Sequence, residues 1–136
     1  MVAFYEPANT DGDELLLVAA PAIAASITTI DDLGQHTRLR DLVWDHDWTH
    51  WAGDQRIEPA RTVDVTLFAM AVDAARRGDG VLVGRRTLLE PDLQAGRLLE
   101  PLRRRGRSGE RLVVGLRDEM VRSRLDAWVA ASTAVS

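Results

Sequence analysis

The stretch from Val65 to Pro101 constrains the fold of this chain of 136 residues more than any other part of it. From Val65 or Thr66 onward, apolar residues recur at helical spacing as far as Arg76-Arg77-Gly78, where a cationic turn and a glycine predict the end of a helix. The β-branched run from Val81 to Val83 then predicts a buried strand. A strand therefore follows a helix after only a tight turn.

A second helix and a further strand follow at once. Thr87 can cap a helix over Leu88 to Ala95, Gly96 ends it, and Arg97 to Leu99 predicts the next strand. Strands that are joined by helices through short connections form crossover units, in which neighbouring strands run parallel. The stretch thus predicts part of an α/β fold.

The preceding part of the chain continues this alternation. Short apolar runs between turn residues predict strands at Leu15 to Ala20, Leu39 to Trp44 and Arg61 to Asp64. Acidic residues that can cap helices lie between these strands: Asp31 and Asp32 before a short helix over Leu33, and Asp45 or Asp47 before a helix that carries Trp48 and Trp51 and ends at Gly53.

Each end of the chain predicts one more strand. Val2 to Tyr5 is followed by a loop from Glu6 to Glu14 that is rich in turn residues. At the other end, a polar arginine-rich loop from Arg103 to Gly109 leads to a strand from Leu112 to Leu116 and an amphipathic helix from Glu119 to Ala131. The pattern as a whole predicts an α/β fold with a mostly parallel sheet and helices on both faces.

The composition excludes several classes of protein. Hydrophobic residues make up 46% of the chain and charged residues 28%, which is typical of a globular domain. There is no cysteine, so disulfides, thiolate zinc sites and a cysteine nucleophile are excluded. The net charge of −4 should repel nucleic acid, so we expect no direct nucleic-acid binding. No apolar run approaches the ~18 residues of a membrane span, and we expect a cytoplasmic location without membrane contact.

Catalytic motifs are absent from the sequence. No serine lies in a nucleophile elbow, and no glycine-rich phosphate loop is present. We expect neither enzymatic activity nor a cofactor. One alternative remains, because His46 and His50 are spaced to share a helix face and could chelate a divalent metal with Asp45 or Asp47, although this spacing matches no zincin motif and a helix start explains it equally well.

The sequence of residues 71 to 102 resembles the late part of the effector-binding domain of LysR-type transcriptional regulators. It reads AVDAARRGDGVLVGRRTLLEPDLQAGRLLEPL. It is most similar to the branch that includes the glycine-cleavage activators. LLLVAAPA, from Leu15 to Ala22, resembles the crossover strand into the second lobe of that domain, and the segments with Trp48, Trp51 and Trp128 resemble its later helices.

The resemblance implies a partial domain with the two-lobed fold of periplasmic binding proteins. Residues 1 to 14 would be a remnant strand and loop of the first lobe, residues 15 to 102 the second lobe, and residues 103 to 136 the strand and helix that return to the first lobe. The helix-turn-helix that binds DNA in this family, its linker helix and the first half of the first lobe have no counterpart in the sequence.

The resemblance also implies where a ligand would bind. It places Thr66 at a helix N-terminus that faces the cleft, where free N–H groups favour a carboxylate, although Thr66 could instead be only an N-cap. Asp64 is beside it, as a competing cap or a repelling charge. Arg85 and Arg86 follow a strand at its carboxyl end and could pair with an anionic effector, or lie on a solvated loop.

These expectations leave two regulatory functions open besides the metal enzyme. The first is a truncated effector-binding module that senses a small organic anion, oligomerises, or does both. The second is an interaction remnant without a ligand, in which Val2 to Tyr5 and Leu112 to Leu116 lack their usual neighbours and leave an open sheet edge. Such an edge predicts a homodimer or a complex with a fuller regulator chain.

Overall fold

The computed structural model describes residues 2–7, 13–108 and 110–115. The strands in these ranges are β1 (Val2–Pro7), β2 (Glu14–Val18), β3 (Thr37–Asp41), β4 (Arg61–Val65), β5 (Leu82–Arg85), β6 (Arg105–Arg107) and β7 (Glu110–Gly115). The helices are α1 (Pro21–Ala24), α2 (His46–Ala52), α3 (Phe68–Arg76) and α4 (Arg86–Gln94), with a 3-10 helix at Ile30–Gln35. The helix predicted from Glu119 to Ala131 and most of the loop predicted from Glu6 to Glu14 lie outside the described residues.

The chain divides into two compact units, one of Glu14–Gly106 and one of Met1–Asp13 with Arg107–Ser136. In the second of these units, β1 and β7 form an antiparallel pair in which Val2 is opposite Gly115 and Pro7 is opposite Glu110. The two strands that the sequence analysis left without neighbours therefore pair with each other, since a strand gains hydrogen bonds from any partner the fold brings alongside.

The larger unit is built on a mixed sheet. β4 pairs with β3 in parallel, and a parallel bridge between Arg38 and Val81 joins β3 to the start of β5. The other side of β5 pairs with β2, and β6 follows β2. The strand order across the unit is therefore β4, β3, β5, β2, β6.

The parallel strands that the sequence predicts are present in β3, β4 and β5, and β2 is an exception to them. β3, β4 and β5 are parallel, as their crossover helices require, but β2 is antiparallel to β5, with Leu15 opposite Arg85 and Val18 opposite Leu82. A crossover fixes the direction only of strands that it connects directly. β2 and β5 are far apart in sequence, so their hydrophobic runs indicate burial without indicating direction.

β2 separates two hydrophobic cores on the two faces of the sheet. Leu15 and Leu17 pack with Trp48 and Trp51 of α2 on one face. Leu16 and Val18 pack on the other face with the apolar side chains of α3 and α4, Ala71, Val72, Ala75 and Leu89 among them. Burial on both faces explains the uninterrupted apolar run of β2, and the helices on both faces confirm the α/β fold class.

The helix ends that the sequence predicts at Gly78 and Gly96 are confirmed. α3 is followed by Gly78 and α4 by Gly96, with φ values of 83° and 73° respectively. Backbone in this region is strained for residues with a Cβ, so glycine is the favoured residue after each helix.

Several predicted boundaries were wrong for local reasons. The strand predicted from Leu39 to Trp44 ends at Asp41, because the Asp41 carboxylate accepts the N–H of Val43 and turns the chain. Arg97 to Leu99 forms a single bridge to Ala19 rather than a strand, since the N–H groups of Arg97 and Leu98 donate to the Asp92 carbonyl.

Two further predictions, a cap for α4 and a loop before β7, differ from the structure. Thr87 does not cap α4, because β5 runs directly into the helix and Arg85 occupies the N-cap position. The loop predicted from Arg103 to Gly109 contains β6, and Arg104 closes the end of α2: its Nε donates to the Trp51 carbonyl at 2.9 Å and its Nη2 donates to the Ala52 carbonyl. A cation at a helix C-terminus is favourable.

Candidate functional site

The carboxyl ends of β3, β4 and β5 meet at one edge of the sheet, which we call the carboxyl edge and define as residues 41–47, 65–68 and 84–86. Asp41 lies opposite Val65 in the parallel register. Leu42 N–H donates to the Val65 carbonyl at 3.0 Å, so the loops after β3 and β4 are in contact. Open α/β sheets bind ligands at this kind of edge.

Thr66 is exposed at this edge, between β4 and the beginning of α3. The helix begins at Phe68, with Leu67 at the N-cap position, no side-chain cap hydrogen bond and no acidic residue in the first turn. The predicted start at Val65 or Thr66 was therefore early, because Leu67 is still in extended conformation. The alternative that Thr66 serves only as an N-cap is wrong.

Arg85 is buried rather than presented at the surface, with 1% of its area exposed. Its Nε and Nη2 donate to the Asp47 carboxylate at 2.9 and 3.2 Å. Its guanidinium lies 4.0 Å from the centroid of the Trp44 ring, and Trp44 in turn contacts Phe68, with 5.3 Å between ring centroids. Arg85 thus fixes Trp44 and α2 to the sheet, and Asp47 compensates its charge within the protein.

The residues that could form a metal site lie in different environments. His46 and His50 are exposed on α2, whereas Asp47 is buried against Arg85. Asp45 contacts Arg38 and Arg40 at 3.6 and 3.8 Å. Among the described residues, no group of three potential ligands is arranged to hold a metal ion.

The other two predicted site residues lie in ion pairs near the edge. Arg86 donates to Glu14 at 2.7 Å and to Glu90 at 3.3 Å, and its hydrogen bond holds the pKa of Glu14 below the usual value. Asp64 accepts two hydrogen bonds from Arg40, at 2.8 and 3.0 Å. The pair raises the pKa of Arg40 and weakens the repulsion that Asp64 would exert on an anion beside Thr66.

Asp41 is a charged residue of the carboxyl edge that the sequence analysis did not select. It is buried, with 6% of its area exposed, and burial raises the pKa of its carboxyl group. No pattern in the sequence marks Asp41, because the strand predicted from Leu39 to Trp44 continues past it and hides the strand end.

Exposed apolar side chains also lie at the carboxyl edge. Leu42, Val43 and Leu67 are exposed by 45%, 68% and 59%, and they lie in the loops that follow β3 and β4. We call these three residues the apolar rim. Ligand sites combine apolar surface with a few oriented polar groups, and the carboxyl edge provides both.

A groove of about 550 Å³ runs from Thr66 along β4 and α3. Its lining includes Val63, Asp64 and Met70, and Val63 and Met70 are exposed by 38% and 52%. Thr66 therefore lies at one end of an open, partly apolar channel.

Comparisons with known proteins agree with this architecture. The model of the LysR substrate binding domain matches residues 11–135. The effector domain of AmpR from Pseudomonas aeruginosa is 21% identical, and the similarity covers 98% of this chain and 70% of that one with a TM-score of 0.68. No curated protein sequence matches the chain significantly.

Two longer regulators share the fold. LysG from Corynebacterium glutamicum, solved with the effector Arg bound, is 20% identical over 95% of this chain and 46% of its own, with a TM-score of 0.56. ArgP from Mycobacterium tuberculosis is 18% identical over 95% and 46%, with a TM-score of 0.60. The chain thus spans less than half the length of LysG and ArgP.

Within the described part of the chain, no helix is long and apolar enough to cross a membrane. The matching family consists of effector-binding domains of transcriptional regulators and is not a class of enzymes. The family match covers far more than half of the chain, and the structural matches have the periplasmic-binding-protein-like α/β fold. The chain belongs to the LysR substrate-binding domain family, the effector-binding domains of LysR-type transcriptional regulators.

Proposed function

We propose that this chain is the effector-sensing part of a LysR-type regulator, with residues 15 to 102 as the second lobe, and that it binds the carboxylate of a small organic molecule at the carboxyl edge. The observation that supports this most is the beginning of α3, where Thr66 is exposed and no side chain caps the helix. Free N–H groups and the positive end of the helix dipole attract an anion there.

The surroundings of Thr66 support a carboxylate of modest size. Asp64 is held by Arg40 and exerts less repulsion, and the apolar rim provides contact area for a hydrocarbon portion. In this proposal Arg85 and Arg86 organise the edge: Arg85 positions α2, and Arg86 ties α4 to Glu14. LysG, which shares the fold, has Arg as its bound effector, and an amino acid also presents a carboxylate.

The same proposal includes no catalysis and no cofactor, and it assigns DNA binding to a part of the regulator other than these residues. As a component of transcriptional control, the chain would act in the cytoplasm.

Isothermal titration with a panel of small carboxylates tests the binding proposal. Thr66→Val should weaken binding about tenfold, because the lost hydrogen bond to a charged group is worth about 1.5 kcal/mol or more. Thr62→Val is the matched control, since Thr62 is an exposed threonine on β4, four residues before Thr66. Equal affinities for the two variants, or no carboxylate binding in the millimolar range, would refute the proposal.

We propose oligomerisation as a second function, with another copy of this chain bound along β4. In the described part of the chain β4 pairs only with β3, so its other side presents unpaired backbone groups. An antiparallel pair of two β4 strands centred on Val63 would bring the two Val63 side chains together beside the groove that contains Met70.

Analytical ultracentrifugation tests this second proposal. Val63→Asp should convert a dimer to a monomer, because two carboxylates would face each other at the centre of the interface. Val43→Asp is the control, as Val43 is a more exposed valine at the carboxyl edge, away from this strand pairing. A wild-type chain that is monomeric at high micromolar concentration would overturn the proposal.

A further inference from the structure

Asp41 has one carboxylate oxygen that the fold uses and one that it does not. Oδ1 accepts the N–H of Val43 at 2.9 Å, which forms the turn that ends β3. Oδ2 is fully buried and has no hydrogen-bond partner in the part of the chain that the structure describes. Buried carboxylate oxygens are normally paired, because an unpaired one loses its hydration without compensation.

The turn alone does not explain a carboxylate at this position. An asparagine would place a carbonyl oxygen in the same position as Oδ1 and form the same turn without a charge. The observed residue carries the charge at a cost in desolvation, since burial raises its pKa. Groups with such a cost are concentrated at functional sites.

The basic residues near Asp41 do not donate a hydrogen bond to its Oδ2. Arg40, its neighbour in β3, donates to Asp64. Arg85 attracts Asp41 electrostatically, but its Nε and Nη2 donate to Asp47. A hydrogen-bond donor with positive charge is therefore the partner that suits Oδ2. The residues that follow Asp41, Leu42 and Val43, are exposed at the carboxyl edge, where a ligand can reach them.

We infer that the effector carries an ammonium group beside its carboxylate, and that Asp41 binds this ammonium while Thr66 and the beginning of α3 bind the carboxylate. The inference rests on the proposed function. Adjacent strands are about 4.8 Å apart, and Asp41 is opposite Val65, the residue before Thr66. This separation suits the two charged groups of an α-amino acid, and the apolar rim suits an aliphatic side chain.

Access to Oδ2 requires a local movement. The atom is covered in the structure, whereas Leu42 and Val43 of the following turn are strongly exposed. A ligand ammonium reaches the carboxylate when this turn shifts, and the new ion pair compensates for the buried charge. Ligands shift such equilibria through the better contacts that they make with the open form.

Three molecules of matched shape test the inference by isothermal titration with the whole chain. L-leucine has both charged groups, 4-methylpentanoate lacks only the ammonium, and 3-methylbutylamine lacks only the carboxylate. The wild-type chain should bind leucine about tenfold or more tightly than 4-methylpentanoate, because a charged hydrogen bond is gained. Asp41→Asn should remove this difference and leave the affinity for 4-methylpentanoate unchanged, while Asp73→Asn, at an exposed position on α3, should preserve it.

The outcomes separate this inference from the proposed function. If leucine and 4-methylpentanoate bind the wild-type chain equally, carboxylate binding stands and the ammonium role of Asp41 is overturned. The role is also overturned if Asp41→Asn weakens both ligands by the same factor, which indicates a purely structural residue. If none of the three molecules binds at millimolar concentration, both the inference and carboxylate binding at this edge fail. The wild-type comparison needs no variant, so it holds even if Asp41→Asn folds poorly.

Discussion

Asp92 of α4 links α3 and the loop after α4 through hydrogen bonds of its side chain. Its side chain is almost fully buried and accepts two hydrogen bonds from Arg76 of α3, at 2.7 and 2.8 Å. It accepts a third from Arg97 at 2.7 Å. We predict that Asp92→Ala destabilises the larger unit, because all three hydrogen bonds are lost at once.

The magnitude follows from what remains after the substitution. The side chains of Arg76 and Arg97 are 39% and 52% exposed, so each is rehydrated and the loss is about 1 kcal/mol for each hydrogen bond, or about 2 to 3 kcal/mol in total. Urea unfolding followed by far-ultraviolet circular dichroism measures it. Asp73→Ala is the control, since Asp73 contacts the same Arg76 at 2.8 Å but is exposed, and its loss should be well under 1 kcal/mol.

The pH dependence provides an independent check. Hydrogen bonds from Arg76 lower the pKa of Asp92 below its usual value, so its stabilising contribution is present above the unfolded pKa of about 3.9 and disappears as pH falls through the lower, folded value. The difference between wild type and Asp92→Ala should therefore be full at pH 7 and decrease below pH 4. Equal destabilisation by Asp92→Ala and Asp73→Ala, or a difference that grows in acid, would refute this reasoning.

Two further predictions concern single side chains. Arg104→Ala should lower the free energy of unfolding by about 1 to 2 kcal/mol, because the end of α2 loses its cap, whereas the exposed Arg103→Ala should have little effect in the same urea experiment. Asp41→Asn should raise the free energy of unfolding by about 1 kcal/mol at pH 7, since it removes a buried charge, and this gain should vanish as pH falls to about 4, where the unfolded carboxyl group also protonates. Loss of stability in Asp41→Asn at pH 7 would contradict this account of its burial.

Local features of the sequence predicted the central part of the fold well. The helix ends at Gly78 and Gly96 depend on backbone conformations that only nearby residues determine, and both were correct. The apolar run of β2 indicated burial on both faces, which the two cores confirm. The antiparallel direction of β2 was not predictable in this way, because the residues of β5 that it pairs with are remote in sequence.

The candidate site was predicted less completely. Thr66 was selected and is exposed at the carboxyl edge, but the helix after it begins two or three residues later than expected. Arg85 was expected at the surface and is buried, since Asp47 is brought to it from 38 residues away. Arg104 looked like part of a solvated arginine run, and its role depends on contact with the end of α2. Asp41 was overlooked because a carboxylate at a strand end has no distinctive local pattern.

The sequence by itself determined most of the order of helices and strands, the burial of β2 and the membership of a family, because these depend on local spacing and on the identity of residues along the chain. The tertiary structure alone decided which charges remain available at the carboxyl edge. Arg40 compensates Asp64 from 24 residues away, and Asp47 compensates Arg85 from 38. Such pairs form wherever folding brings opposite charges together in a partly desolvated environment, where their attraction is strongest, and no local pattern records that proximity.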